Sequence, residues 1–331
     1  MSERKPCYIW DEKLIEECDR LPAVIGRASM VHDLILAYDI LKLCTVVRSA
    51  PATHKDMKEF HSELYLDHLK TFTEVDDDYM TNAQDEECGI GNGVQDAYST
   101  SNSVFTLSFH KFEPGFYPGT GGINDIGTGG GTGYSCNFPL AAAYSDSTME
   151  YAFEKVFNSV YNHFKPDVIV TQCGADACAR DPNGGANLTT RSYCGCVRLV
   201  LDKQKPTLLL GGGGYKHVNT ARLWASLTAL VAGVTLDDQI PEHGHWPEYG
   251  PDFTIAVEPT LAKDNNRSSY IEKCIKTIDG NLVKYLSETT EPGAKRIKTE
   301  LKFKNPENIY NRNSEQENEI NVVKDVYAFV D

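Results

Sequence analysis

Hydrophobic residues in the first third of the chain recur at helical spacing. Apolar side chains fall on one side of a helix from Met30 to Leu43, and again from Phe60 to Leu69. Between them, the β-branched run at 44–47 predicts a short strand. Residues 76–87 are acidic and poor in large apolar side chains, which predicts a solvated loop. We therefore expect this third to be mostly helical.

From Val104 onward, short apolar runs alternate with amphipathic ones. The runs predict strands over 104–109, 167–172 and 206–210, and helices over 149–164, 193–201 and 220–231. The segment Gly115–Gly133 has few helix formers and is predicted to be a loop. Strands that alternate with helices indicate a parallel sheet covered by helices on both faces. The predicted fold class is thus α/β with an open parallel sheet.

The composition changes after Ser287. Residues 291–319 are rich in charged and amide side chains, which predicts a disordered tail. We expect one α/β domain over residues 1–287 and a polar tail over 288–331. The short basic cluster Lys295–Lys298 is compatible with a nuclear import signal and with an ordinary solvated patch.

Charge and length narrow the possible partners. The 331 residues carry a formal charge of −15, with a pI near 5.1. Such a surface repels phosphate and argues against direct nucleic-acid binding. It favours a basic partner such as a lysine-rich tail, although solubility alone also explains it. The chain contains no run of eighteen apolar residues, so we expect no membrane span. The residues that follow Met1–Pro6 lack the apolar stretch typical of a signal peptide. We expect a cytoplasmic or nuclear protein.

The ten cysteines are not spaced as the paired CxxC motifs that bind a metal. The tightest pair, Cys194 and Cys196, is spaced too closely for a zinc ribbon. In a reducing compartment most are expected to be small buried hydrophobes.

Two predicted strands run into residues that can carry chemistry. The first leads into Gln172–Asp176 and presents a carboxylate, which suits a cation such as zinc but also serves as an ordinary loop cap. The second leads into Gly211–Tyr215, where four glycines allow close backbone approach to a ligand. The Tyr215 hydroxyl could donate to an oxyanion, or the side chain could simply pack on a turn.

A third motif runs from Ser108 to Gly121 and contains adjacent aromatic residues in a Gly/Pro-rich loop. Phe116 and Tyr117 could form the wall of a narrow apolar slot. Each alone would more often cover a sheet edge.

These motifs occur in an order that resembles the class I zinc-dependent histone deacetylases. The segments Arg27–His32 and Phe60–Leu66 resemble the same family, nearest to subtype eight. The resemblance extends from Tyr8 to Asn281. It implies an arginase/deacetylase-like sheet, a role in chromatin regulation, and zinc-dependent hydrolysis of acetyl-lysine in histone tails and other proteins.

The resemblance also implies site residues, each at a matching position of this chain. Asp176 would be a zinc ligand and Tyr215 the catalytic tyrosine that polarises the acetyl carbonyl. Arg27 would line an internal cavity. The substrate tunnel would include Phe116, Tyr117, Gly213, Gly214 and Asn183, of which Tyr117 and Asn183 depart from the family pattern. Potassium sites would involve Tyr98, Ser101, Val104, Ser108, Phe109 and Tyr134.

The chain departs from the family pattern in one respect that matters for catalysis. It has no His-His pair for acid–base work and no Asp-x-His pair of zinc ligands. The loop Glu242–His245 does not align with a catalytic motif. Similarity to the family is interrupted between Gly91 and Gly93, where roughly ninety residues of the family pattern are missing, about as many as a small domain contains.

Three functional hypotheses follow from this gap. The chain is a lysine deacetylase by family but inactive and weak in zinc binding, or a catalytically dead regulatory or binding isoform, or a non-functional gene-model fragment. Loss of interior strands would leave backbone groups unpaired and apolar faces bare.

Overall fold

Helices and short parallel strands make up the described part of this computed structural model, residues 5–71 and 93–287. The strands are β1 Cys7–Ile9, β2 Thr45–Val47, β3 Thr106–Lys111, β4 Ser135–Leu140, β5 Ile169–Gln172 and β6 Thr207–Leu210. The helices are α1 Glu12–Asp19, α2 Arg27–Ala37, α3 His54–Lys58, α4 Glu63–Thr71, α5 Gly93–Tyr98, α6 Asp146–Phe164, α7 Thr190–Leu201, α8 His217–Ala232 and α9 Ser268–Leu286. The predicted α/β class is confirmed.

The described strands form three separate parallel pairs instead of one continuous sheet. β1 pairs with β2, β3 with β4, and β5 with β6. Parallel strands normally belong to larger sheets with both faces covered. Each pair therefore has strand edges that no other described strand occupies.

Three apolar clusters hold the helices on these pairs. β4 is buried along its whole length, and Phe138 packs with α6 and α9. α2 packs on α8 through buried side chains such as Leu34 and Ala225. α7 and α8 cover one face of the β5–β6 pair, where Leu209 contacts the cluster of Val197 and Leu223. Each cluster gathers helices on one side of a strand pair.

The other face of the β5–β6 pair is open to solvent. Val170 and Leu208 face each other in the strand register, and they are 60% and 49% exposed. Leu210 and Val168 extend this surface and are each 45% exposed. We call these four residues the open face.

The helices and strands that the sequence predicts appear within a few residues of their predicted positions, with one informative exception, whereas β4 and α9, among others, were not predicted. The predicted helix Met30–Leu43 ends at Ala37, because Asp39 adopts a left-handed φ of 58° and the chain continues as a 3-10 turn at Ile40–Leu43. The predicted loop 76–87 and the tail 288–331 lie outside the described residues. Within the described ranges, none of the helices has the length and apolar character needed to cross a membrane.

Candidate functional site

The ends of β5 and β6 meet at one edge of the strand pair. Past β5 the chain turns through the 3-10 segment Ala175–Ala177, and the Ala175 N–H donates to the Gly213 carbonyl at 2.8 Å. A Cβ atom at Gly213 would lie 2.4 Å from the Asp176 Oδ2 atom. Glycine is therefore required there for Asp176 to lie against the β6 end. The structure places Asp176 and Tyr215 at the same edge.

Asp181 ties the two strand ends together. Its Oδ2 atom accepts hydrogen bonds from the backbone N–H groups of Tyr215 at 2.8 Å and Lys216 at 3.1 Å. Its Oδ1 atom accepts from the N–H groups of Asn183 at 2.9 Å and Gly184 at 3.2 Å. One carboxylate thus fixes both the Tyr215 turn and the Asn183 loop.

Sequence reasoning missed Asp181. The signal was present in Asp181-Pro182-Asn183-Gly184, because Asp before Pro and a following Asn-Gly is typical of a turn whose carboxylate accepts local backbone N–H groups.

Arg27 approaches the same edge from helix α2. Its Nη1 atom donates to the Gly214 carbonyl at 2.8 Å, and its guanidinium lies 5.1 Å from the centre of the Trp224 ring. Burial lowers the pKa of Arg27, and the nearby Tyr215, Asp176 and Asp181 partly oppose this. The guanidinium therefore adds a positive charge beside the two carboxylates.

Asp176 is half-buried. Burial is the main cause that raises the pKa of its carboxyl group, and the charge of Asp181 adds to the rise. Hydrogen bonds from backbone N–H groups and the charge of Arg27 act in the opposite direction. The Arg27 charge thus favours the ionised form of Asp176.

The donor set around Asp176 does not fit a catalytic zinc ion. Such an ion is held by three protein ligands and a water. Across residues 5–71 and 93–287 no three His, Cys, Asp or Glu side chains come together in a way that could hold a metal. His243 and His245 are engaged elsewhere, with the Pro241 carbonyl and with Glu248. The described side chains at this edge are carboxylates and an arginine, which do not make up the ligand set of a catalytic zinc ion.

The predicted aromatic wall lies beside the loop that supports Asp176. The Nζ atom of Lys111 lies 4.1 Å from the centre of the Phe116 ring. A Cβ atom at Gly185 would lie 3.1 Å from the same Nζ atom. Phe116 is half-buried, whereas Tyr117 is 61% exposed. Lys111 thus connects Phe116 to the 184–185 loop.

The residues expected at potassium sites fall in two places. The segment around Tyr98 and Ser101 lies against the glycine-rich loop, since a Cβ atom at Gly131 would lie 2.7 Å from the Ser101 nitrogen. Val104 lies just before β3, and the Tyr134 carbonyl accepts from the Thr106 N–H at 3.0 Å. These contacts bring the residues of the first expected site into one region.

Ser108 and Phe109, expected at the second potassium site, lie on opposite faces of β3. The Phe109 ring stacks on Phe138 with a centroid distance of 5.3 Å. The His110 Nε2 atom lies 2.9 Å from the Gly121 carbonyl, which can only accept, so Nε2 carries a proton. Burial lowers the pKa of His110, which favours the neutral ring. The Ser108 hydroxyl then donates to Nδ1 at 2.8 Å.

Comparison with known proteins shows the family of this chain. A profile of the histone deacetylase domain matches residues 85–231. Histone deacetylase 8 of Danio rerio is 34% identical over 360 residues, which cover 84% of this chain and 95% of that protein. The chain belongs to the class I histone deacetylases.

Two other histone deacetylases are also similar to this chain. Histone deacetylase 8 of Xenopus tropicalis is 34% identical over 359 residues, which cover 84% of this chain and 97% of that protein. The protein of the same name from Xenopus laevis is 44% identical over 192 residues, covering 58% of this chain and 59% of its own length.

The alignment with the Danio rerio deacetylase has more positions than the number of residues that this chain contributes to it. The share of 84% of 331 residues is about 278 residues, against 360 aligned positions. About 80 positions of the alignment therefore have no residue of this chain opposite them.

Proposed function

We propose that this deacetylase-family chain keeps one side of an acetyl-lysine site but does not hydrolyse acetyl-lysine on its own. The observation that carries the proposal is the donor set at the Asp176–Tyr215 edge. It offers carboxylates and Arg27, and among the described residues it includes no three-ligand metal cluster. Without a metal-activated water and a general base, the hydrolysis has no nucleophile at neutral pH.

The retained groups support binding and polarisation of an acyl group. Asp181 fixes the Tyr215 backbone, which positions the phenol at the same edge as Asp176. Phe116 and Tyr117 would line the path of the lysine side chain, with Gly213, Gly214 and Asn183 around it. Acetylated protein segments, such as lysine-rich histone tails, are the substrate class that we assign, and the net charge of −15 suits such basic partners. We assign the protein to the nucleus, the cytoplasm or both.

The potassium role of Tyr98, Ser101, Val104, Ser108, Phe109 and Tyr134 is part of the same proposal. Arg27 is assigned to the wall of a cavity behind Asp176, which its contact with the Gly214 carbonyl supports.

A second candidate is a binding or regulatory isoform without catalysis. The observation that favours it is the order of the remaining edge, in which Arg27, Asp181 and the Gly213 backbone are all hydrogen-bonded. A non-functional fragment would not need an edge that is ordered by such hydrogen bonds.

A chimera tests the proposal. The roughly 80 residues that the relatives have and this chain lacks are inserted between Gly91 and Gly93, and acetate release from an acetyl-lysine peptide is followed. The chimera is expected to turn over, and its Tyr215→Phe variant to lose roughly a hundredfold or more, because one oxyanion donor is removed. A folded chimera that binds zinc yet shows no turnover would contradict the assigned roles of Asp176 and Tyr215.

A further inference from the structure

The open face of the β5–β6 pair is an unusual surface for a parallel sheet. Its four apolar residues are 45–60% exposed, while α7 and α8 pack against the opposite face. Both faces of parallel sheets are normally covered, because their strands are apolar on both sides. A contiguous exposed apolar surface of this kind marks a site where another segment binds.

Near its carboxyl terminus the chain has an apolar segment that could pack on such a face. Residues 288–331 lie outside the described part, and most of them are polar. The stretch from Ile320 to Val330 differs, since eight of its eleven residues are apolar or aromatic. The apolar positions 322, 323, 326, 327 and 330 follow the spacing of one helix face. Helices are the elements that cover the faces of parallel sheets.

The length of the intervening chain permits this contact. Residues 288–319 separate the end of α9 from Ile320. A flexible coil of that length has a root-mean-square span of about 30 Å. A packed unit the size of the described part has a radius of gyration of about 18 Å. The end of the chain can therefore reach any face of the unit from Ser287.

We propose that the carboxyl-terminal segment Ile320–Val330 docks on the open face formed by Val168, Val170, Leu208 and Leu210. The segment takes a place that the absent part of the sheet leaves uncovered. This contact is separate from the acetyl-lysine edge, so it holds whether or not the chain has catalytic activity.

Site-specific photocrosslinking of the full chain tests this directly. Leu208 is replaced by p-benzoylphenylalanine, the chain is irradiated, and the cross-linked peptides are identified by mass spectrometry. The expected product is an intramolecular cross-link to residues 320–331. The same probe at Leu261, which is fully exposed and remote from the strands in sequence, is the matched control and should not capture this segment.

A second variant separates docking from chance proximity. Val326→Asp with Val330→Asp should reduce the cross-link yield roughly tenfold or more, because the charges cannot enter an apolar contact. Asn313→Asp in the preceding polar stretch should leave the yield unchanged. A cross-link between two copies, a cross-link to another part of the chain, or equal capture by the Leu208 and Leu261 probes would overturn the proposal.

Discussion

At the scale of single residues, Asp181 holds the site edge together more than any side chain that the sequence singled out. Its two oxygens accept four backbone N–H groups from the Asn183 loop and the Tyr215 turn. Hydrogen bonds to a charged group contribute about 1.5–3 kcal/mol, and buried N–H groups left without a partner add a penalty.

Asp181→Ala is therefore expected to lower the free energy of unfolding by about 2–4 kcal/mol. Urea denaturation followed by circular dichroism measures the change. Asp202→Ala, on an exposed residue after α7, is the control and should stay within about 0.5 kcal/mol. Equal effects of the two changes would show that the Asp181 hydrogen bonds are not stabilising.

Asp264 is one carboxylate that makes the stability of the fold fall at acid pH. Burial alone would raise its pKa, but hydrogen bonds from Thr148, Asn266 and Ser145 outweigh burial and lower the pKa to about 2. Because the pKa in the folded state lies below its ordinary value of 3.8, the stabilisation is present above about pH 4 and is lost as the pH falls toward 2.

In Asp264→Asn this pH-dependent part is expected to disappear. The stability difference between the parent and the variant should shrink by about 1 kcal/mol between pH 4 and pH 2, a value reduced for partial exposure. Denaturation at several pH values measures it. A difference that stays constant over this range would mean that the carboxylate is not stabilised by its partners.

At the scale of elements, the sequence predicted those strands and helices whose residues repeat a clear apolar pattern. Strands β5 and β6 and helices α6 and α8 appear close to their predicted positions. Strand β4 was not predicted, because Asn137 and Pro139 interrupt its apolar pattern. It is nevertheless buried, and its outer edge has no described strand partner, which is where proline is tolerated.

The site could be predicted only as far as its motifs are local in the sequence. Asp176 and Tyr215 were found because each follows a strand end. The hydrogen bond from Arg27 to the Gly214 carbonyl joins residues 187 positions apart, and no local pattern indicates it. The resemblance to the family supplied Arg27, and only the structure supplied its contacts.

Strand β4 also sets the stability of the largest apolar cluster. Phe138 is fully buried, stacks on Phe109 and packs with α6 and α9. Phe138→Ala is expected to cost about 3–5 kcal/mol, because the change leaves a cavity among aromatic rings.

Chemical denaturation measures this loss, with the exposed α6 variant Glu154→Ala as the control, which should change stability by less than about 0.5 kcal/mol. A loss below about 1 kcal/mol for Phe138→Ala would show that the β3–β4 pair is loosely packed.

At the scale of the whole molecule, the separation of the strands into three pairs limits cooperativity. Two-stranded units are marginally stable, and the pairs have unoccupied edges among the described strands. Native stability is only about 5–15 kcal/mol, so unpaired strand edges, and any apolar surface that the docked segment does not cover, weigh heavily against it.

The purified chain is therefore expected to bind a hydrophobic dye, to aggregate, and to unfold over a broad temperature range. Calorimetry with dye fluorescence tests this, and the chimera with the inserted segment is the matched control. A monomer with a sharp and reversible thermal transition would contradict the expectation.

The central claim is that the Asp176–Tyr215 edge is one side of a deacetylase site and that this chain alone does not catalyse the reaction. The most direct measurement is acetate release from an acetyl-lysine peptide by the purified chain with added zinc, alongside Asp176→Ala. We predict no acetate release above background for either protein. Steady turnover that disappears in Asp176→Ala would contradict it, because that result requires a complete metal site in this chain.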